Sequence, residues 1–201
     1  MADDEFYNDG SRALQDRFES RRIADRLETT LKRAAFTEDD KAFIEGAIYF
    51  FMATADGRGQ PDCSFKGGPA GFVRVTGRSE LAFPDYDGNG MFRSLGNIAV
   101  NPSVGLLFIA MHGPPRRLRV NGIARIDRDD ALLASTVGAQ MIVRIEAHAI
   151  FPNCPRYIPT MQLVEPSPYA PVAGCEPVEP AWKTFDVFKD AVPPRRPTWK
   201  G

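Results

Sequence analysis

The chain has 201 residues, 43% of them hydrophobic, and a formal net charge of −1 at pH 7. Those figures describe one ordinary globular domain with room for a core, and the near-neutral balance without a long basic run excludes a nucleic-acid backbone as the main partner. No run of about 18 apolar residues is present and the opening MADDEFYNDG is acidic and polar, so neither a membrane-spanning helix nor a signal peptide is expected.

In chain order, residues 1–46 read as N-terminal helices. Leu14, Phe18, Ile23, Leu27 and Leu31 recur every four or five residues, a stripe suited to a surface helix laid on a core. Thr37 followed by Glu38-Asp39-Asp40 reads as a second helix start, with acidic residues at the positive end of the dipole. The period then changes. AIYFFMAT (47–54) is apolar throughout, as in a strand buried on both faces, and Asp56-Gly57 turns it into PDCSFK (61–66) as a hairpin. GFVRVT (71–76) and ELAFPD (80–85) predict a second hairpin.

VGLLFIA (104–110) is again apolar. RRLRVNGIARI (116–126) alternates, with Leu118, Val120, Ala124 and Ile126 on one face and Arg117, Arg119, Asn121 and Arg125 on the other. MIVRIEAHAIF (141–151) alternates too. Met141, Val143, Ile145, Ala147, Ala149 and Phe151 take one face; Arg144, Glu146 and His148 take the other, as an interface ion-pair ladder. A short helix is expected between these last two strands. The fold class is mainly β (α+β), an antiparallel barrel with peripheral helices. Residues 47–164 form the barrel domain and 165–201 a Pro-rich arm, all within one structural domain. The arm is either a loose tail or is held on the body or a partner subunit by Trp182, Phe185, Phe188 and Trp199.

The residues with chemical potential lie around PDYDGNGMFRSLGNIAVNPSVGLLFI (84–109). A strand enters a Gly/Asn-rich turn, then a helix carrying Arg93 and Ser94. A helix N-terminus after such a turn presents unpaired N–H groups, and a nearby Arg completes a phosphate site. Lys66, before Gly67-Gly68, and Arg117 are further candidates, although each alone reads as a solvated surface charge. Gly88-Asn89-Gly90 lacks the third glycine and the βαβ context of a dinucleotide fold. Cys63, Cys154 and Cys175 show no CxxC spacing, which fits a reduced cytoplasmic protein, and with only His112 and His148 no metal site is expected. Cys154 is either a small packed residue or a thiol at the start of a short helix, activated by Arg156.

The order GQPDCSFKGGPAGFVRV, LAFPDYDGNGMFRSLGNIAVNPSVGLLFI and RRLRVNGIARI resembles the pyridoxamine 5′-phosphate oxidase-like family of FMN-binding split β-barrels, over roughly residues 45–155. The resemblance implies a homodimer with FMN at its interface. It implies that Ser64, Phe65 and Lys66 run along the flavin ring and ribityl chain, and that Phe83, Pro84 and Asp85 lie beneath the ring. Arg93 and Ser94 would hold the phosphate, Arg117 would reach in from a later strand, and Asn89 would join from the turn. The chain departs from the true pyridoxamine phosphate oxidases. Its first flavin strand has no leading Arg, and it ends Arg195-Arg196-Pro197-Thr198-Trp199-Lys200-Gly201 in place of their substrate-gripping motif. It is closer to members with a Phe-Pro-Asn/His-Cys-Pro motif, here Phe151-Pro152-Asn153-Cys154-Pro155-Arg156-Tyr157.

The function so implied is an FMN-dependent oxidoreductase acting on a small-molecule substrate, with Arg119, Asn153, Cys154 and Arg156 on the substrate side and no catalytic residue assigned. The alternatives are a non-enzymatic binder of flavin, deazaflavin or haem, and a structural dimer without cofactor.

Overall fold

The computed structural model describes residues 6–110 and 113–193; His112 and the closing segment with Trp199 lie outside the described residues. The apolar and alternating runs fold as β1 Tyr49–Ala55, β2 Pro61–Gly67, β3 Arg74–Val75, β4 Glu80–Tyr86, β5 Ser103–Ile109, β6 Arg117–Asp127 and β7 Ala139–Pro152. They pair as one antiparallel sheet in the order β2-β1-β5-β6-β7-β4-β3. The chain is thus mainly β with helices at its edges, and both expected hairpins are present. The second is shorter than the sequence suggests. A turn in which Phe72 N–H donates to the Pro69 carbonyl takes up its first residues, leaving β3 with two.

The sheet curls. Phe50 of β1 meets Phe83 of β4 at a ring-centroid distance of 5.0 Å, although β5, β6 and β7 separate their strands. Inside the curl lie Phe50, Met52, Leu81, Phe83, Leu106, Phe108, Leu118, Val120, Val143, Ile145 and Ile150, all fully or nearly fully buried. Burying aromatic and aliphatic side chains of this size stabilises the fold by about 1.5–3 kcal/mol each before entropy is counted.

Where β7 pairs with β6, strict alternation fails at one place. Asn121 pairs with Ala149 and Gly122 with Ala147, so His148 is the extra residue of a bulge. Beyond it the faces exchange. Ile150, not Ala149 or Phe151, continues the core row of Val143, Ile145 and Ala147. The bulge needs glycine opposite it, because a Cβ on Gly122 would lie 2.4 Å from the Glu146 carbonyl oxygen. The expected ladder of Arg144, Glu146 and His148 is also redistributed. Arg144 donates to Asp130 at 2.5 Å and to Glu80 at 2.6 Å.

The N-terminal region differs more. The expected surface helix is two helices, α1 Asp9–Arg17 and α2 Arg21–Leu31, broken at Glu19, which adopts a left-handed φ of 53°. Only Ala24 of this pair is buried, and Phe18 is 71% exposed. The apolar stripe therefore does not lie on the core. Arg12–Asp25 and Arg21–Asp16 ion pairs, each at 2.5 Å, hold the two helices together instead. α3, Glu38–Glu45, begins where expected. Thr37 and Asp40 close a reciprocal capping box, and Asp40 also accepts from Arg33 at 2.6 Å. Between β6 and β7 the expected helix is a single 3₁₀ turn, Ala131–Ser135.

Candidate functional site

β2 is an edge strand, and its inward face is polar. Its register against β1 sets Asp62 beside Thr54, Ser64 beside Met52 and Lys66 beside Phe50. Because paired residues share a face, these three polar side chains project to the side on which Met52 and Phe50 fill the core. Facing them is the short helix α4, Arg93–Val100, which buries Leu95 and Ile98. Two hydrogen bonds pin α4 over the hairpin: Asn97 Nδ2 donates to Thr54 Oγ1 at 3.0 Å, and Ser94 Oγ donates to Ser64 Oγ at 2.9 Å.

The loop feeding α4 is held in shape by its own side chains. Asn89 Oδ1 accepts from Met91 N–H at 3.0 Å, and Gly90 has a φ of 77° that suits glycine alone. Phe92 then enters the helix with a left-handed φ of 49°, an uncommon conformation for a bulky residue. No side chain caps α4, so its first N–H groups stay available. Arg93 projects into solvent beside them, with Nη2 3.5 Å from Asp62 Oδ1.

These walls enclose a cavity of about 560 Å³, within the range of roughly 300–1,000 Å³ usual for cofactor sites. Of the candidate residues, Ser64, Phe65, Lys66, Pro84, Asp85, Asn89, Arg93 and Ser94 line it. Phe83 does not; it is 2% exposed and packs in the core on Phe50. Arg117, Arg119, Asn153, Cys154 and Arg156 do not line the cavity either. Arg119 is exposed on the outer face of β6. Arg117, Asn153, Cys154 and Arg156 instead meet where β6 begins and β7 ends. There Arg117 Nε and Asn153 Oδ1 are buried without hydrogen-bond partners. Cys154 opens no helix and is exposed, just before a turn closed by Ile158 N–H on the Pro155 carbonyl. Hydrogen bonds from the Arg156 backbone and guanidinium, with the Arg117 charge, hold its thiol below the usual range.

Two walls escape sequence reasoning. Asp62 continues the period-two row of Ser64 and Lys66, a signal that alternation alone carries. Trp182 and Lys183 come from the Pro-rich arm, which lies against the cavity mouth. Lys183 is tied to Asp87 at 2.6 Å and to Glu179 at 3.0 Å. The arm's expected anchors Phe185 and Phe188 are largely exposed.

The site is electrostatically strained. Burial pushes the Asp85 carboxyl up to about 6, with Lys66 opposing and Asp87 adding to the shift. Burial also lowers Lys66, against the pull of Asp85 and Asp62. Desolvation wins over attraction for both groups, so the two are neighbours without being a compensated pair. The donor set still suits a phosphate and a ring: Arg93 and the open α4 N-terminus, and half-buried Lys66 and Asp85.

No group of three or more His, Cys, Asp or Glu able to hold a metal occurs among the described residues, and no described helix is long and apolar enough to cross a membrane. No curated protein matches the chain. Among solved structures it is similar to HupZ of Group A Streptococcus, at 20% identity, covering 58% of this chain and 93% of that chain with a TM-score of 0.47. It is similar to HutZ, the heme storage protein of Vibrio cholerae, at 20% identity over 56% and 91% with a TM-score of 0.43. It is also similar to an FMN-binding protein of Syntrophomonas wolfei, at 12% identity over 71% and 97% with a TM-score of 0.44. The family model for pyridoxamine 5′-phosphate oxidase matches residues 36–168, from the start of α3 through the whole sheet and both cavity-forming strands, and the chain belongs to that family.

Proposed function

We propose that the cavity binds FMN and that the protein is an FMN-dependent oxidoreductase, a homodimer of split β-barrels with the flavin at the subunit interface. The observation that carries this reading is the inward polar row Asp62-Ser64-Lys66 facing Arg93 and the uncapped α4 N-terminus across the cavity, in a chain of this family. Arg93 and the free N–H groups of α4 would take the phosphate. Ser94 is 4% exposed and donates its hydroxyl to Ser64. Ser64 would therefore present the hydroxyl that reaches the ligand, with Ser94 fixing its rotamer. Lys66, Phe65, Pro84 and Asp85 would border the ring, and Asn89 would shape the phosphate loop.

When bound, FMN supplies hydride and electron transfer; the chain's residues bind it, orient it and exclude water. Arg119, Asn153, Cys154 and Arg156 stay the substrate-side candidates and Arg117 a cofactor contact, supplied to the cavity of a partner subunit. The three free thiols support a reducing, cytoplasmic setting.

The test is the absorption spectrum of the purified protein before and after FMN is added. Flavin bands retained through gel filtration support the reading, and reduction of the bound flavin by NADH or NADPH with turnover of an acceptor supports the enzyme. Retained flavin that is never reduced points to a carrier. A colourless protein that does not retain FMN, or one that takes up haem or a deazaflavin in preference, overturns the assignment.

A further inference from the structure

Leu81 and Phe83 of β4 point into the core, and the alternation carries the next inward place to Asp85. A row that begins with two buried apolar side chains thus ends on a carboxyl group. Asp85 lines the cavity, yet its Oδ2 is buried with no hydrogen-bond partner. On the facing wall, the inward row of β2 ends on Lys66. Among the described residues these two close neither an ion pair nor a hydrogen bond.

The other charges around Asp85 do not compensate it. Asp62 of β2 shares the field of Lys66. Asp87 of the following loop repels Asp85, although Lys183 of the arm engages Asp87. Arg93 of α4 is turned to Asp62. From β7, the neighbouring cavity residue is the uncharged Gln140. One partly desolvated cation is therefore shared between two carboxyl groups. An ionised Asp85 leaves a buried oxygen without a donor, whereas a protonated one leaves a buried O–H without an acceptor. The protein supplies neither partner, so the ligand must.

We propose that the ligand-binding form of this site carries a proton on Asp85, which donates a hydrogen bond to a carbonyl oxygen or ring nitrogen of the planar heterocycle bound in the cavity. Binding near neutral pH then takes up a proton, and ligands without an acceptor at that place are rejected, because the O–H would stay buried and unpaired. The direction of the Asp85 shift agrees with this, since its carboxyl titrates near 6, within reach of a modest further rise on binding. The proposal rests on the flavin reading above and adds a residue role to it.

The test is the dissociation constant of FMN for the wild type and Asp85→Asn between pH 5 and pH 8, from quenching of flavin fluorescence. The FMN phosphate itself titrates near pH 6. It does so with both proteins, so the ratio of the two constants isolates Asp85. Asn keeps a donor at every pH. The ratio of wild type to variant should climb by about tenfold or more from pH 5 to pH 8, as the wild type alone loses its donor. A ratio that stays constant, at any value, overturns the assignment of Asp85 and leaves the flavin reading standing. Failure of both proteins to bind FMN at every pH overturns the flavin reading and this proposal with it. If the variant does not fold, calorimetry of the wild type at pH 8 in two buffers of different ionisation enthalpy decides. The phosphate is then dianionic, so net proton uptake supports the proposal and no uptake overturns it.

Discussion

Arg93 and Asp85 show how single side chains divide the cavity. Arg93 reaches past Asp62 into solvent, free to turn toward an anion at the α4 N-terminus. Arg93→Ala should weaken FMN binding by about 1.5–3 kcal/mol, the range of a charge-assisted hydrogen bond, and a titration showing unchanged affinity would remove Arg93 from the site. Asp85 acts on the empty protein as well. Its carboxyl titrates near 6 in the fold, above the value of about 3.9 in an unfolded chain. The folded state therefore holds the proton more tightly. Asp85 has no effect on stability below about pH 4, becomes destabilising as pH rises from about 4 to about 6, and stays so above. The size is about 1–3 kcal/mol once partial solvent access is allowed for. Asp85→Asn should therefore be more stable than wild type at pH 7 and equal to it near pH 4. Denaturant unfolding at both pH values measures this, and equal stabilities at pH 7 would sink it.

At the scale of elements, the bulge between β6 and β7 decides which side chains reach the core. Gly122→Ala would drive a Cβ to 2.4 Å from the Glu146 carbonyl oxygen and 2.8 Å from Ile145 Cγ2. Backbone must yield, so the variant should lose about 3 kcal/mol, read as a lower thermal midpoint; an unchanged midpoint would mean that the strand pair slips freely. This bulge also marks the limit of what the sequence discloses. Alternation locates β6 and β7, because a half-buried sheet enforces period two on its side chains, continuous apolar runs locate β1 and β5, and the Asp56-Gly57 turn sets the first hairpin. A bulge leaves the pattern of polar and apolar letters intact while exchanging its faces, so Ile150 cannot be recognised as core. Helix pattern was misleading in another way. Leu14, Phe18, Ile23 and Leu27 have amphipathic spacing, but spacing does not say whether a core lies beneath them. Arg93 and Ser94 are legible as an anion site because chain order sets them behind a Gly-rich turn, whereas Ser64, Phe65, Pro84 and Asp85 enter only through the family resemblance. Trp182 and Lys183 are legible in neither way, since they reach the cavity mouth only through the path of an extended arm about a hundred residues downstream of the loop that they meet.

The whole molecule has an outward surface that one chain does not use. β1 and β5 place Phe51, Ala53, Leu107 and Ile109 on the face opposite the core, and β2 adds Phe65. Phe65 is 63% exposed and lies flat on Tyr49, with centroids 5.3 Å apart and planes inclined by 10°. A contiguous apolar face beside the cavity is unusual for a monomer, and a second copy laid across it would cover the face and complete the cavity wall at Phe65. Stable association of this kind needs roughly 800 Å² from each partner, so the contact would extend beyond the outward faces of these three strands. Leu107→Asp places a charge in the middle of that face, at a residue outside the cavity lining. Light scattering at micromolar concentration should give about twice the 22.2 kDa chain mass for the wild type and the single-chain mass for Leu107→Asp. FMN affinity should fall with the mass, because a ligand held between two subunits loses half of its walls when they part. A wild type that runs as a monomer refutes the dimer. A monomeric Leu107→Asp that binds FMN as tightly as wild type keeps the dimer but moves the flavin away from the interface, into a cavity that one chain builds alone.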